Sequence, residues 1–345
     1  MFKSLLKFKR GAVRLEEAAP AATPPRRVDA ETLLRRMEWT VIRRLDGLLQ
    51  GDYRTLLRGF GMDLADLCEY QGHDDVRYID WNVTARIGVP HVRQFHEDRE
   101  VFAWFVLDLS GSVNFGSEQV RKRESSFELV AVLGRILTRH GNRVGAILHG
   151  GNILGHSSGQ SDVVIPARGG RRQVLHILDR MLLLQAQTDA SAPQQPTDLG
   201  ELLTNAQHVI GRRSLVFVVS DFISTPGWSR PLTLLARRHE VIAVRLYDPL
   251  ETELPDLGLV VMQDAETGEQ LFVDTHDAGF HKRFVQAAER REAALRGALA
   301  EAGVDCLELA TDDALGETLL RFTGLRKRRS QLAAGAGNLR KPLVS

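Results

Sequence analysis

The chain has 345 residues, of which 43% are hydrophobic, 26% charged and 6% aromatic. This composition excludes a disordered chain, and no run approaches the roughly 18 apolar residues that a membrane-spanning helix needs. Residues 1–27 and 324–345 together carry 13 basic and two acidic side chains, which leaves the body between them with a formal charge of −10. An acidic body argues against broad nucleic-acid binding by the fold. Cys68 and Cys306 are too few for a disulfide framework, which favours a cytoplasmic protein.

Four segments are predicted along the chain. They are a basic flexible tail and linker at 1–27, an N-terminal accessory segment at 28–100, an α/β domain at 101–323 and a basic disordered tail at 324–345. The first tail is mildly amphipathic, so a weak peripheral contact with an anionic membrane is a minority interpretation beside a simple solvated tail. Either tail also allows a nucleic-acid contact as a third, weaker function.

In chain order, a first helix is predicted from Asp29, a good N-cap, to about Gln50, and an extended segment over His91–Phe95. Predicted strands then occupy 101–108, 143–150, 214–221, 240–248 and 305–311, with two short strands around a turn within 259–274. Predicted helices occupy 118–140, 171–186, 198–210, 228–238, 277–302 and 312–323. This alternation specifies an α/β fold with a doubly wound, mostly parallel sheet flanked by helices.

The string Asp108-Leu109-Ser110-Gly111-Ser112 follows the first buried strand of that sheet. Alternate residues of the turn can converge, which would bring one carboxylate and two hydroxyls to a single point. An all-oxygen set suits Mg²⁺ or Mn²⁺ rather than zinc. Asp221 ends another buried strand on the same rim, and Thr197 at a helix start offers a third hydroxyl. The competing interpretation is that the serines cap the next helix while Asp108 bonds local amides.

The order of strand, D-x-S-x-S, helix, threonine and strand-terminal aspartate resembles the metal-ion-dependent adhesion site of von Willebrand factor A domains. Upstream, Gly59-Phe60-Gly61, the stretch Tyr70–Trp81, Thr84-Ala85-Arg86 and Glu97–Glu100 look like the signature of bacterial domain-of-unknown-function family 58. The resemblance covers roughly residues 30–310. It departs at Val113, where a methionine is common, and at His73, where a glycine often stands.

The resemblance implies a metal set, a fold and a partner class. The implied ligands are Asp108, Ser110, Ser112, Thr197 and Asp221. The implied fold is a Rossmann-like A domain, and the implied partner is a MoxR-type AAA+ ATPase or its acidic client, with the chain acting as a non-enzymatic adaptor in chaperone-like remodelling.

An enzyme remains the main alternative. Asp108 before a small polar turn resembles the nucleophile loop of haloacid-dehalogenase-type phosphatases. That loop normally carries a second aspartate two residues on as the general acid, whereas this chain has Ser110, and a hydroxyl does not perform that proton transfer near neutral pH. The sequence also lacks phosphate-loop, nucleophile-elbow and H-E-x-x-H motifs. We therefore expect no catalytic activity.

Overall fold

The computed structural model describes a large part of the chain. The described residues are 6–9, 30–31, 66–71, 76, 79, 81–94, 101–114, 121–150, 162–188, 198–252, 258–264 and 270–338. The predicted helix from Asp29 to Gln50 therefore lies outside the described residues, apart from a helical start at Ala30 and Glu31.

Eleven strands and seven α-helices are present within these ranges. The strands are β1 Leu6–Lys9, β2 Asp66–Glu69, β3 His91–Gln94, β4 Phe102–Asp108, β5 Arg143–His149, β6 Val163–Arg168, β7 Leu215–Ser220, β8 Glu240–Tyr247, β9 Leu259–Asp264, β10 Gln270–Asp274 and β11 Asp305–Ala310. The helices are α1 Trp81–Ile87, α2 Lys122–Arg139, α3 Arg171–Thr188, α4 Leu199–Val209, α5 Ser229–Arg238, α6 Ala278–Ala302 and α7 Leu315–Asn338.

The central sheet has six strands in the order β11-β8-β7-β4-β5-β6. Neighbours from β11 to β5 are parallel, and only the edge strand β6 runs antiparallel, against β5. The order reverses direction between β4 and β7, which brings the carboxyl ends of these two strands to a switch point where open α/β sheets commonly bind ligands. The doubly wound, mostly parallel sheet predicted from the sequence is confirmed.

Helices cover both faces of this sheet because its strands bury side chains on both sides. Phe105 and Leu107 of β4 pack in a core with α2, α3 and α7. Trp104 and Val106 of the same strand pack in a second core with α4, α5 and α6. Alternate residues of a strand therefore point to different helical layers, and this alternation fixes where the residues at each strand end point.

Three elements differ from the sequence prediction. The prediction missed β6, since Pro166 interrupts its short apolar run and it pairs at an edge. Residues 6–9, assigned to a flexible tail, alternate Leu and Phe with lysine and form β1, which pairs antiparallel with β9. Helix α7 continues to Asn338, so the segment assigned to a disordered tail from residue 324 is helical up to that point.

Among the described residues, two smaller sheets accompany the central sheet. β2 pairs with β3, and β1, β9 and β10 form a three-stranded sheet. Across the described ranges, no helix is both long and apolar enough to cross a bilayer.

Candidate metal centre

Asp108 lies at the carboxyl end of β4 and is fully buried. Its Oδ1 accepts a hydrogen bond from the Ser110 backbone N–H at 3.0 Å, and its Oδ2 accepts one from the Ser220 hydroxyl at 2.8 Å. The second bond ties the ends of β4 and β7 together. Burial raises the pKa of Asp108, the charge of Asp221 raises it further, and the hydrogen bonds from Ser110 act in the opposite direction. No lysine or arginine among the described residues forms a salt bridge with this carboxylate.

The two serines of the D-x-S-x-S string point at each other beside this carboxylate. Their Oγ atoms are 3.0 Å apart and both side chains are buried. Adjacent ligands in an octahedron with Mg²⁺–oxygen bonds of 2.0–2.1 Å are about 3.0 Å apart, so the hydroxyl spacing fits a hard divalent ion. A short 3₁₀ helix, Gly111–Asn114, begins directly after Ser110, and α2 begins only at Lys122, so neither serine caps α2. The local amide bond to Asp108 that the competing interpretation expected is nevertheless present.

Asp221 follows β7 and is held by a lysine that the sequence analysis did not single out. Lys122 Nζ lies 3.0 Å from Asp221 Oδ2 and 2.5 Å from Glu251 Oε1, and the lysine side chain is completely buried. Burial alone would lower the pKa of Lys122, but the charges of Asp221 and Glu251 outweigh it and the pKa is raised. The other Asp221 oxygen accepts the Ile223 backbone N–H at 2.9 Å.

Of the five predicted ligands, the structure brings three together directly. Asp108, Ser110 and Ser112 share one loop, while Asp221 is close enough to raise the pKa of Asp108 but forms its ion pair with Lys122. Thr197 lies outside the described residues. The next residue, Asp198, caps α4, and the Leu199 N–H donates to Ser224 Oγ at 2.9 Å, so the start of α4 lies beside the chain that leaves β7.

A buried histidine stands next to Asp108 on the neighbouring strand. His149 is the last residue of β5 and pairs in register with Asp108. Its Nδ1 lies 2.5 Å from Asp162 Oδ1, and the other oxygen of Asp162 accepts a hydrogen bond from the Asn205 side-chain amide on α4. Burial alone would lower the pKa of His149, but the hydrogen bond to Asp162 and the charges of Asp108 and Asp162 raise it.

Within the described residues, no group of three or more His, Cys, Asp or Glu side chains is arranged to bind a metal ion. A cation at the end of β4 would therefore depend on the serine hydroxyls as well as on Asp108.

A cavity of about 380 Å³ opens next to Asp221, on the α6 side. It is lined mainly by Phe222, Ile223, Trp228 and Leu295 together with charged side chains that include Arg245 and Glu251.

Comparisons with known proteins identify a family without an assigned function. Residues 66–294 match the family described as "Protein of unknown function DUF58". The uncharacterized protein Rv1480 of Mycobacterium tuberculosis is 36% identical over 299 residues, which are 86% of this chain and 89% of that protein. The uncharacterized protein MAV169 of Mycobacterium avium is 36% identical over 168 residues, or 48% of this chain and 94% of that one.

Solved structures give more distant matches. The conserved hypothetical protein BatB of Bacteroides thetaiotaomicron aligns with a TM-score of 0.36 and 14% identity, over 66% of this chain and 99% of that one. The pilus adhesin SpaC of Lactobacillus rhamnosus GG aligns with a TM-score of 0.39 and 12% identity, over 68% of this chain and 31% of that one. The family match and the mycobacterial relatives together show that the chain belongs to the DUF58 family of proteins of unknown function.

Proposed function

We propose that this protein is a cation-dependent protein-binding module, built on a centre of the metal-ion-dependent adhesion type that takes Mg²⁺ or Mn²⁺. The observation that carries the proposal is the buried Asp108 carboxylate, which has hydroxyl and amide partners but no cationic side chain in salt-bridge contact among the described residues. Burying an ionised carboxylate without a cationic partner is costly, and a bound metal ion would supply the missing positive charge. Asp108, Ser110 and Ser112 would hold the ion, with Thr197 and Asp221 completing the set.

The charges around the site fit a divalent ion. Asp108, Asp221 and Glu251 contribute three negative charges when ionised, and Lys122 contributes one positive charge. The excess of negative charge in this group would favour a bound cation. The bound ion would supply a positive centre with a free coordination position, and a partner's Asp or Glu side chain is the group whose chemistry suits that position.

Binding explains the site better than catalysis does. The position two residues after Asp108, where the phosphatase alternative needs a general acid, is Ser110, and its hydroxyl faces Ser112. We propose a MoxR-type AAA+ ATPase, or a client protein with an exposed acidic residue, as the partner, on the strength of the family resemblance. A cytoplasmic adaptor role in chaperone-like remodelling follows from the same resemblance and is part of the proposal.

The test measures metal binding and partner binding in two separate stages. Isothermal titration of the full chain with MgCl₂ and MnCl₂ is expected to show one site, which Asp108→Ala abolishes. Asp179→Ala is the matched control, since Asp179 is exposed on α3. Retention of a purified MoxR-type ATPase is then compared between the two variants at a constant Mg²⁺ concentration, because chelation would also affect the nucleotide-bound ATPase.

Each stage has an outcome that contradicts the proposal. Absence of Mg²⁺ and Mn²⁺ binding by the wild-type chain rules out the metal centre. Equal retention of the partner by Asp108→Ala and Asp179→Ala rules out a metal-dependent contact. Phosphatase turnover that disappears only in Asp108→Ala would establish the enzymatic alternative instead.

A further inference from the structure

His149 lies beside Asp108, at the carboxyl end of the adjacent strand and on the same side of the sheet. Asp108 and His149 are opposite each other in the parallel β4–β5 ladder, each two residues after a residue of the α4–α6 core, Val106 and Ile147 respectively. Because side chains alternate along a strand, Asp108 and His149 both point to that side of the sheet. The Ser220 hydroxyl, which bonds Asp108, reaches the carboxylate from the same side through β7.

The imidazole is held at one nitrogen and unpartnered at the other. Only 1% of His149 is exposed, and Nδ1 is fixed by Asp162, which is itself fixed by Asn205. The buried Nε2 atom has no hydrogen-bond partner among the residues that the structure describes. A buried polar atom without a partner is costly, and in native proteins it commonly marks a catalytic role or an ion or water that completes it.

We propose that Nε2 of His149 is a nitrogen ligand of the same cation that Asp108, Ser110 and Ser112 bind, an inference that rests on the proposed metal centre. A metal-binding histidine almost always donates its other ring N–H to a carboxylate or carbonyl, which fixes the tautomer and makes the ligating nitrogen more basic. The Asn205–Asp162–His149 chain matches this arrangement when the ring donates Nδ1–H to Asp162, which leaves an electron pair on Nε2 for the cation.

A nitrogen ligand changes which metal the site prefers. Mg²⁺ selects oxygen ligands, whereas imidazole suits first-row transition metals, of which Mn²⁺ is the most weakly bound divalent ion at a mixed nitrogen and oxygen site. We therefore expect the site to bind Mn²⁺ more tightly than Mg²⁺ by at least tenfold.

The test is pulsed electron paramagnetic resonance of the full chain loaded with one equivalent of Mn²⁺. The expected spectrum shows ¹⁴N modulation from a directly bound imidazole, replaced by a ¹⁵N pattern when the chain is made with ¹⁵N-histidine. His149→Gln is expected to remove the modulation and to weaken Mn²⁺ binding at least about tenfold, the lower end of the loss seen when even a residue that only orients a ligand is removed, with Mg²⁺ binding affected far less. His176→Gln, on the exposed side of α3, is the control and leaves both unchanged.

The outcomes separate this inference from the proposed function. Stoichiometric Mn²⁺ binding that depends on Asp108 but shows no nitrogen modulation in the wild-type chain overturns the role of His149 and leaves the metal centre standing. Failure of the wild-type chain to bind either ion overturns both. Because the decisive spectrum is that of the wild-type protein, the result stands even if His149→Gln does not fold.

Discussion

Replacing Lys122 by methionine would keep most of the buried hydrocarbon of this side chain and remove the ammonium between Asp221 and Glu251. Both ion pairs are short, at 3.0 and 2.5 Å, and the lysine is completely buried. Removing one partner of a buried pair leaves an uncompensated buried charge, which costs about 3–5 kcal/mol. We therefore expect Lys122→Met to lower the free energy of unfolding by that amount at pH 7.5.

The stability that Lys122→Met loses should depend on pH, and the raised pKa of Glu251 sets the direction of that dependence. Burial already raises the pKa of Glu251 above its ordinary value of 4.5, with Lys122 opposing that shift. Without the ammonium the carboxyl pKa rises further. A carboxyl group whose pKa is higher in the folded state than in the unfolded state contributes its full stability at a pH below the unfolded-state pKa. That contribution is lost as the pH rises through the folded-state pKa. The deficit of the variant should therefore be smallest near pH 4.5 and grow towards pH 7.5.

Urea unfolding across this pH range measures both effects. Lys282→Met, on the exposed surface of α6, is the control and should change stability by no more than about 0.5 kcal/mol. Adding Glu251→Gln to Lys122→Met should recover part of the loss, since it removes one of the stranded charges. A loss below about 1 kcal/mol at pH 7.5, or one that is the same at every pH, would refute this account of the cluster.

Three further substitutions or modifications test the packing around Asp108 and the burial of Cys306. Gly150 has φ +114°, and a Cβ there would lie 2.7 Å from the carbonyl of Leu109, so Gly150→Ala should displace the turn from Asp108 to Ser112 and weaken Mn²⁺ binding at the proposed centre more than tenfold in calorimetry. Gly211→Ala meets no atom within 4 Å and should leave the affinity unchanged, whereas equal affinities for the two variants would contradict the prediction. Ser220→Ala removes a hydrogen bond to a buried carboxylate and should cost about 1.5–3 kcal/mol in chemical unfolding of the metal-free chain; an unchanged midpoint would count against that bond. Burial raises the pKa of Cys306 to about 12, so iodoacetamide should modify it far more slowly in the native chain than in urea, and similar rates would show an accessible thiol.

The sequence predicted the sheet well because its strands are buried on both faces. Runs such as Phe102–Asp108 and Leu215–Ser220 are continuously apolar up to a polar end, which locates both the strand and its carboxyl end. Asp108, Ser110 and Ser112 could be grouped from the sequence because they are neighbours in the chain. Local pattern was sufficient wherever the interacting residues are close in sequence.

The remaining parts of the site depend on contacts between distant residues. Lys122 and Asp221 are 99 residues apart, and Asp108 and Ser220 are 112 apart. Lys122 lies between two arginines in the sequence, a pattern typical of an exposed basic segment. The neighbouring residues therefore give no sign that its side chain is buried. His149 and Asp162 likewise meet only because β5 pairs with β6, the strand that the sequence analysis missed.

Helix α7 is anchored by ion pairs at the end of the sheet opposite Asp108. Near the middle of the helix, Arg326 binds Asp305 and Glu240, the first residues of β11 and β8, at the sheet edge opposite Asp108. The 12 residues from Lys327 to Asn338 continue for about 18 Å at 1.5 Å per residue. Arg326 therefore joins the last helix to the amino ends of two adjacent parallel strands, so a change of charge at this residue would weaken the attachment of the helix without touching the Asp108 end of the sheet.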